Sequence, residues 1–280
     1  MITRNSLGLV ALLLVSAALA GAGCGAPCTP AAPVSTLDTV MARKQLIVGV
    51  KTDAPPFGFV AGGNYQGYDI DLARQIAHKL GVKVRFVPVT SADRIQKLND
   101  KEVDLIAASM TITREREKDV DFSLCYFSTQ DAFLVKSDSK ISGYLDLAKM
   151  KVGVIKGSTG VANLAIVQPE AEPVVFDTYT EAFAALKAGH IEALTSDLVL
   201  LAGLAQGQTG QFKIVGTFGY EPYGLAMRQN DSKFRGQIND ILQELWDQGV
   251  ITQNIENWFG DRGRFPLQVN FTMETFPIGK

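Results

Sequence analysis

The feature that most constrains the fold is an alternation of short apolar strands with amphipathic helices that occurs twice along the chain. In the first pass, residues 46–50 form an apolar run. Ile70, Ala73, Ile76, Ala77 and Leu80 then recur at helical spacing behind Asp69 and Asp71, with Gly81 just past the end. Val82, Val84 and Phe86 alternate as in a strand, Ser91 is placed to cap a helix carrying Ile95 and Leu98, and 104–108 predicts a third strand. The second pass begins with a strand at 152–155 that runs into Gly157-Ser158-Thr159-Gly160 and a helical stretch. A strand at 174–176, a helix capped by Thr180 and bearing Phe183, Leu186 and His190, and a strand at 191–195 complete it. Strands and helices alternating at this length imply parallel sheets covered by helices. Apolar strands at 133–135 and 225–227 are suited to carrying the chain between two lobes. Helices with Ile238, Ile241, Leu242, Leu245 and Trp246, then Ile255, Trp258 and Phe259, return it to the first lobe as core packing. Residues 261–280 have mixed polarity and match no element.

A chain of 280 residues is long enough for two such lobes. Lys and Arg total 27 against 29 Asp and Glu, a net charge of −2, which disfavours a protein built on phosphate contacts to nucleic acid. Two His and three Cys leave little for a metal site and exclude a disulfide scaffold. No cofactor is implied. Arg4, the apolar run 7–20 and the small residues before Cys24 have the order of a secretory signal peptide, and the run is too short to span a membrane. A Pro- and Ala-rich tether comes next, so the organisation reads as signal peptide 1–23, tether 24–44, lobe 1 at 45–132 plus 227–260, lobe 2 at 133–226, and a C-terminal extension 261–280. Cys28 lies in the tether and Cys125 in the folded part; an oxidising compartment would permit their pairing, and their spacing does not demand it.

Ligands of open α/β sheets bind beyond the carboxyl ends of the strands. In the first half those positions hold Lys51, Thr52 and Asp53, then Thr90, Ser91 and Arg94, then Ser109 and Thr111 with Arg116 a turn later. In the second half they hold Lys156, Ser158 and Thr159, then Asp177, Thr178 and Tyr179, then Ser196 and Asp197. Lys51, Arg94, Arg116 and Lys156 outnumber Asp53, Asp197 and Asp177, and cations shut in a cleft need an anionic partner. The forked guanidinium suits carboxylates and Asp197 suits an ammonium, a combination that describes an acidic amino acid. Each residue also has a plainer reading. Arg114 to Glu117 would serve as a solvated charged turn, Arg94 as a surface residue of its helix, and Asp197 as a helix N-cap. Gly157-Ser158-Thr159-Gly160 lacks the ending of a nucleotide P-loop and suits a short carboxylate at a helix N-terminus.

Gly67-Tyr68-Asp69-Ile70-Asp71-Leu72-Ala73-Arg74-Gln75-Ile76-Ala77 resembles the signature of the polar-amino-acid solute-binding proteins (family 3) of bacterial ABC importers. The resemblance continues through Thr111-Ile112-Thr113-Arg114-Glu115-Arg116, Asp121-Phe122-Ser123, Gly157-Ser158-Thr159 and Glu192-Ala193-Leu194-Thr195-Ser196-Asp197 to Asn257-Trp258-Phe259-Gly260. It implies an α/β fold of the type II periplasmic-binding-protein kind: a two-lobed clamp, each lobe a mainly parallel sheet with helices on both faces, joined by two crossover strands. It further implies that Arg116, helped by Thr111 and Thr159, holds the ligand α-carboxylate, and that Ser109, Thr111 and Asp197 take the α-ammonium. Ser91-Ala92-Asp93-Arg94-Ile95 is similar to the segment whose arginine contacts the side-chain carboxylate in glutamate/aspartate-binding members, with Lys51 as another cation. Tyr179 and Tyr223 match less constant pocket positions. Asp53-Ala54-Pro55-Pro56-Phe57 is shorter than the version that supplies an aromatic lid in glutamine binders, and Cys125 departs from the usual residue before Tyr126-Phe127. Gly21-Ala22-Gly23-Cys24 resembles a lipobox with Gly21 in place of the aliphatic residue, which makes Cys24 the candidate lipidation site.

These readings predict a monomeric, extracytoplasmic receptor, lipid-anchored or periplasmic, that captures L-glutamate or L-aspartate by domain closure and presents it to the transmembrane subunits of an ABC permease. Glutamine or asparagine is the alternative ligand. Cyclohexadienyl dehydratases resemble the same fold, but their chemistry needs a positioned general acid, and the strand ends offer no spare Glu or His. No catalytic residue is therefore assigned.

Overall fold

A computed structural model of the chain describes residues 34–208, 210–269 and 271–274. The signal-peptide reading, Cys24 and Cys28 lie outside the described residues; Cys125 carries a free thiol that donates to the Phe127 carbonyl at 3.0 Å. No helix among the described residues is long and apolar enough to cross a membrane.

The chain opens with α1 (Thr36–Arg43), β1 (Gln45–Val50), the small antiparallel set β2 (Asp53–Ala54), β3 (Gly58–Ala61) and β4 (Asn64–Gln66), and α2 (Tyr68–Lys79). After β5 (Lys83–Pro88), α3 (Arg94–Asn99) and β6 (Leu105–Ala107) comes the long strand β7 (Val120–Lys136). The second half holds β8 (Lys151–Ile155), α4 (Gly160–Val167), β9 (Glu172–Phe176), α5 (Tyr179–Ala188), β10 (Ala193–Asp197) and α6 (Leu198–Ala205). Strand β11 (Phe212–Arg228) returns, and α7 (Ser232–Asp247) and α8 (Val250–Phe259) finish the helices.

Strands β1, β5 and β6 pair in parallel, as do β8, β9 and β10. Two lobes of a clamp result, and β7 and β11, 17 residues each and antiparallel to one another, join them into a single sheet of order β5-β1-β6-β11-β7-β10-β8-β9. The crossovers are therefore much longer than the apolar cores at 133–135 and 225–227 that marked them. They stay paired through register shifts, including those at Val215/Phe218 and Phe218/Glu221.

Beneath the crossing lies an aromatic core. Phe57, Phe127 and Tyr223 meet at centroid distances of 5.0–5.8 Å, with Tyr68 and Phe259 packed around them. Phe57 is fully buried there and forms no lid. The helix α2 is positioned by its first turn: Gly67 takes φ +137°, and a Cβ on it would lie 1.9 Å from the Phe57 carbonyl oxygen, so only glycine fits.

Several local expectations shift. Thr178, not Thr180, caps α5, in a capping box with Glu181, and the helix ends at Gly189 (φ +77°), before His190. Ser91 does not cap α3; it bonds Lys51 instead. Helix α1 occupies the stretch read as tether, held by Asp231, whose carboxylate accepts from the Ser35 hydroxyl and the Thr36 N–H, each at 2.6 Å. The C-terminal extension is ordered against the body through Phe265 N–H to the Trp258 carbonyl (2.8 Å) and Leu267 N–H to the Phe259 carbonyl (2.9 Å). There Phe265 stacks on Trp258, and Phe271 stacks on Phe127.

Candidate ligand-binding site

The strand ends of the two lobes face each other across a closed cleft. From the first lobe, Lys51 is buried just past β1 and donates to Ser91 Oγ at 2.6 Å, with its ammonium 5.4 Å from the Tyr179 ring centroid. Arg94, buried at the start of α3, donates one guanidinium N–H to the Ala108 carbonyl (2.8 Å), while its Nε has no protein partner. Ser109 is held in the left-handed region (φ 41°), with its N–H given to Asp69 at 2.7 Å. Asp69 also accepts from Tyr126 Oη at 2.8 Å, so this buried carboxylate fixes the loop after β6. Burial pushes Asp69 up to about 6, against the pull of these two hydrogen bonds.

Contacts between the lobes are direct. The Arg116 guanidinium bonds the Thr111 carbonyl (2.7 Å) on its own side and the Gly157 carbonyl (3.1 Å) on the other. The Asp53 carboxylate accepts the Tyr179 N–H at 2.8 Å, at the N-terminus of α5, where a negative charge is favoured. Tyr179 Oη pairs with Ser196 Oγ at 3.0 Å. Asp197 stands at the N-terminus of α6, yet its side chain makes no capping bond and its Oδ1 is buried without a partner. Tyr223 Oη, also buried, lies beside Asp197.

Of the sequence-predicted residues, Lys51, Asp53, Ser91, Arg94, Ser109, Thr111, Arg116, Thr159, Tyr179, Asp197 and Tyr223 gather around the cleft. Lys156 does not. Its side chain is 64% exposed and lies 3.9 Å from the similarly exposed Asp177, the residue after the neighbouring parallel strand.

Two buried acids were missed, Glu221 and Asp131. Glu221 accepts from Thr111 Oγ1, from Thr159 Oγ1 (3.0 Å) and from Asn163 Nδ2 (2.8 Å); Asn163 also donates to Asp131. The available signal was the strand period: Glu221 lies two residues before Tyr223, on the same face, with no register shift between them. Asp131 carried no signal, because it closes the polar run Ser128-Thr129-Gln130 within the crossover and lies past the end of no parallel strand.

With Lys156 outside and these two acids inside, the predicted cationic surplus disappears. Lys51, Arg94 and Arg116 face Asp53, Asp131, Asp197 and Glu221. Burial, then the neighbouring Arg94, lowers Lys51 to about 7, and burial together with Arg116 lowers Arg94 to about 9. On the acidic side, Asp131 and Asp197 are directly opposed across the β7–β10 ladder. Burial and the charges of Asp197 and Glu221 push Asp131 up to about 8; burial and Glu221 push Asp197 up to about 7. Carboxyl groups raised in the folded state favour folding most below their unfolded range, and that advantage is lost as pH rises through the folded values. The unfolding midpoint is therefore expected to fall between about pH 4 and pH 8, and Asp131→Asn to flatten the decline, which thermal melts across that range would check. A wild-type midpoint that climbs through the same range would refute the assignment.

Comparison with known proteins places the fold. The chain is 37% identical over 262 residues to the ABC transporter glutamine-binding protein GlnH of Bacillus subtilis, covering 90% of this chain and 96% of that one. It is 41% identical over 247 residues to the glutamine-binding protein of Geobacillus stearothermophilus, covering 82% and 93%. Among solved structures, an ancestral arginine-binding protein bound to glutamine superposes with a TM-score of 0.75 at 42% identity, covering 78% of this chain and 99% of that one. Residues 46–261 match the profile of one family, and the chain belongs to the bacterial extracellular solute-binding proteins, family 3.

Proposed function

We propose that this protein is the extracytoplasmic receptor of an amino-acid ABC importer and that its ligand is L-glutamine. One observation carries the reading: the cleft buries an acceptor without a donor, Asp197 Oδ1, and a donor without an acceptor, Arg94 Nε. Unpartnered buried polar groups of this kind are costly, and a zwitterion with a polar side chain relieves both. Asp197 takes the α-ammonium, Arg116 the α-carboxylate, and Arg94 with Lys51 and Ser91 the side-chain carbonyl. A neutral amide suits a cleft that keeps no cationic surplus, and glutamine is what the Bacillus subtilis and Geobacillus stearothermophilus relatives are named for binding. L-glutamate or L-aspartate is the second reading, favoured by the buried pair Arg94 and Lys51.

In the mechanism, lobe 1 (45–132 plus 227–260) and lobe 2 (133–226) rotate about the crossovers, and the ligand stabilises the closed form through contacts made only there. A dissociation constant near micromolar, about −8 kcal/mol, is enough for a scavenger. Residues 1–23 direct export, Cys24 is the lipid attachment point, and the monomer hands its ligand to the permease. Asp131 and Glu221 add acids to the cleft from the crossovers, where the survey of strand ends did not look. Both are engaged by Asn163, and Glu221 by two threonines as well, which favours a binding role over general-acid chemistry.

Titration calorimetry of the ligand-stripped protein against the twenty amino acids tests the reading. Tight glutamate binding without glutamine binding would transfer it to the second ligand. Arg94→Ala should weaken glutamate far more than glutamine, because a carboxylate loses an ion pair where an amide loses one hydrogen bond. Equal losses would show that Arg94 does not read the side chain.

A further inference from the structure

Glu221 touches neither end of the proposed ligand, yet it connects the two walls of the cleft. Its Oε2 accepts from Thr111 Oγ1 of the first lobe and from Thr159 Oγ1 of the second, and its Oε1 accepts from Asn163 Nδ2 on α4. It is buried on the crossover β11, opposite Thr129 of β7.

A threonine hydroxyl has one proton and two lone pairs. A carboxylate only accepts, so both threonines direct their protons toward Glu221 and have only lone pairs left for the cleft. Lone pairs suit an ammonium, which is purely a donor, and repel a carboxylate, which is purely an acceptor. Asp197 Oδ1, buried without a partner, is a further acceptor of the same polarity. The resemblance implied that Thr111 and Thr159 help to hold the α-carboxylate and that Thr111 also takes the α-ammonium. Their hydroxyl polarity keeps Thr111 on the ammonium, moves Thr159 to it and leaves the carboxylate to Arg116.

We propose that Glu221 is a positioning residue that sets the polarity of the Thr111 and Thr159 hydroxyls and so builds, from both lobes at once, the acceptor set for the ligand α-ammonium. This rests on the reading of the cleft as an amino-acid site. It makes recognition of the amino group depend on closure, because the two threonines share one carboxylate only when the lobes meet.

The test compares ligands with and without the α-amino group, following tryptophan fluorescence: L-glutamine against glutaramate, and L-glutamate against glutarate. Glu221→Gln keeps the shape but replaces one acceptor by a donor, so affinity for whichever amino acid binds the wild type should fall about tenfold, and affinity for its des-amino analogue less than about twofold. Thr159→Val, which removes one hydroxyl at constant shape, should shift the same ratio in the same direction. Equal losses on both members of a pair, or no loss on either, would overturn the proposal by reducing Glu221 to a structural tie. Wild-type binding of glutamate alone would overturn the choice of ligand and still decide the role of Glu221 on the second pair. A wild type that binds neither amino acid would overturn both.

Discussion

Gly157→Ala should lower ligand affinity about a hundredfold while leaving both lobes folded. Gly157 adopts φ +76°, and a Cβ on it would lie 2.6 Å from the Ser91 carbonyl oxygen and 2.7 Å from Ala92 Cα. These atoms belong to the opposite wall of the cleft and are backbone or backbone-bound, so no side-chain rotation relieves the clash. The positive φ adds about 1 kcal/mol against any residue with a Cβ. If the clash and the strain together disfavour closure by about 3 kcal/mol, apparent affinity drops in proportion to the lost closed fraction, since the lobes must meet for the ligand to be gripped. Small-angle scattering should show the variant expanded at ligand concentrations that compact the wild type. An alanine variant that compacts and binds like the wild type would show that the lobes grip the ligand without this contact.

Asp197→Asn is expected to have two large effects of opposite sign. Binding should fall about a thousandfold, because the proposed ammonium loses its buried counter-charge, and truncating one partner of such a pair costs about 2–5 kcal/mol. The ligand-free protein should become more heat-stable above neutral pH. Asp197 faces Asp131 across the ladder and lies near Glu221, and burial with this repulsion outweighs the pull of Arg116, so removing its charge relieves a net penalty. Calorimetric titration and a thermal melt of the same sample would show both. A variant that binds normally would remove Asp197 from the site, and one that loses binding and stability together would mean its carboxylate supports the fold instead.

Much of the architecture was legible in the sequence because the β-α-β units are local. The strand of Lys51, the helix behind Asp69 and the strand ending at Asp197 are each specified by a few neighbouring residues. For the same reason most cleft residues could be placed from the positions just past each parallel strand. The features that escaped are non-local. Helix α1 is organised by Asp231, about two hundred positions away in sequence. Asp131 lies within a crossover whose facing depends on register shifts that no periodicity encodes, and Glu221 was signalled only by its two-residue spacing from Tyr223. Lys156 was assigned to the cleft by its position after β8, but which face a strand-end residue takes is set by the turn beyond it, and here the turn at Gly157 leaves the lysine beside Asp177. The charge count that pointed to an acidic ligand changes there, since the orientation of those charges is fixed only in the folded chain, while the similarity of the Ser91 to Ile95 segment to glutamate/aspartate binders is unaffected.

The slips in pairing between Val215 and Glu221 have an evolutionary consequence. A ribbon already interrupted there bends without sacrificing bonds that are intact elsewhere, and the first slip, between Val215 and Phe218, lies short of Glu221. Changes to Gly216 or Thr217, within that first slip, would retune how far, and how readily, the jaws travel while leaving their selectivity alone. Speed of handover and choice of nutrient thus become traits that selection is free to adjust one at a time.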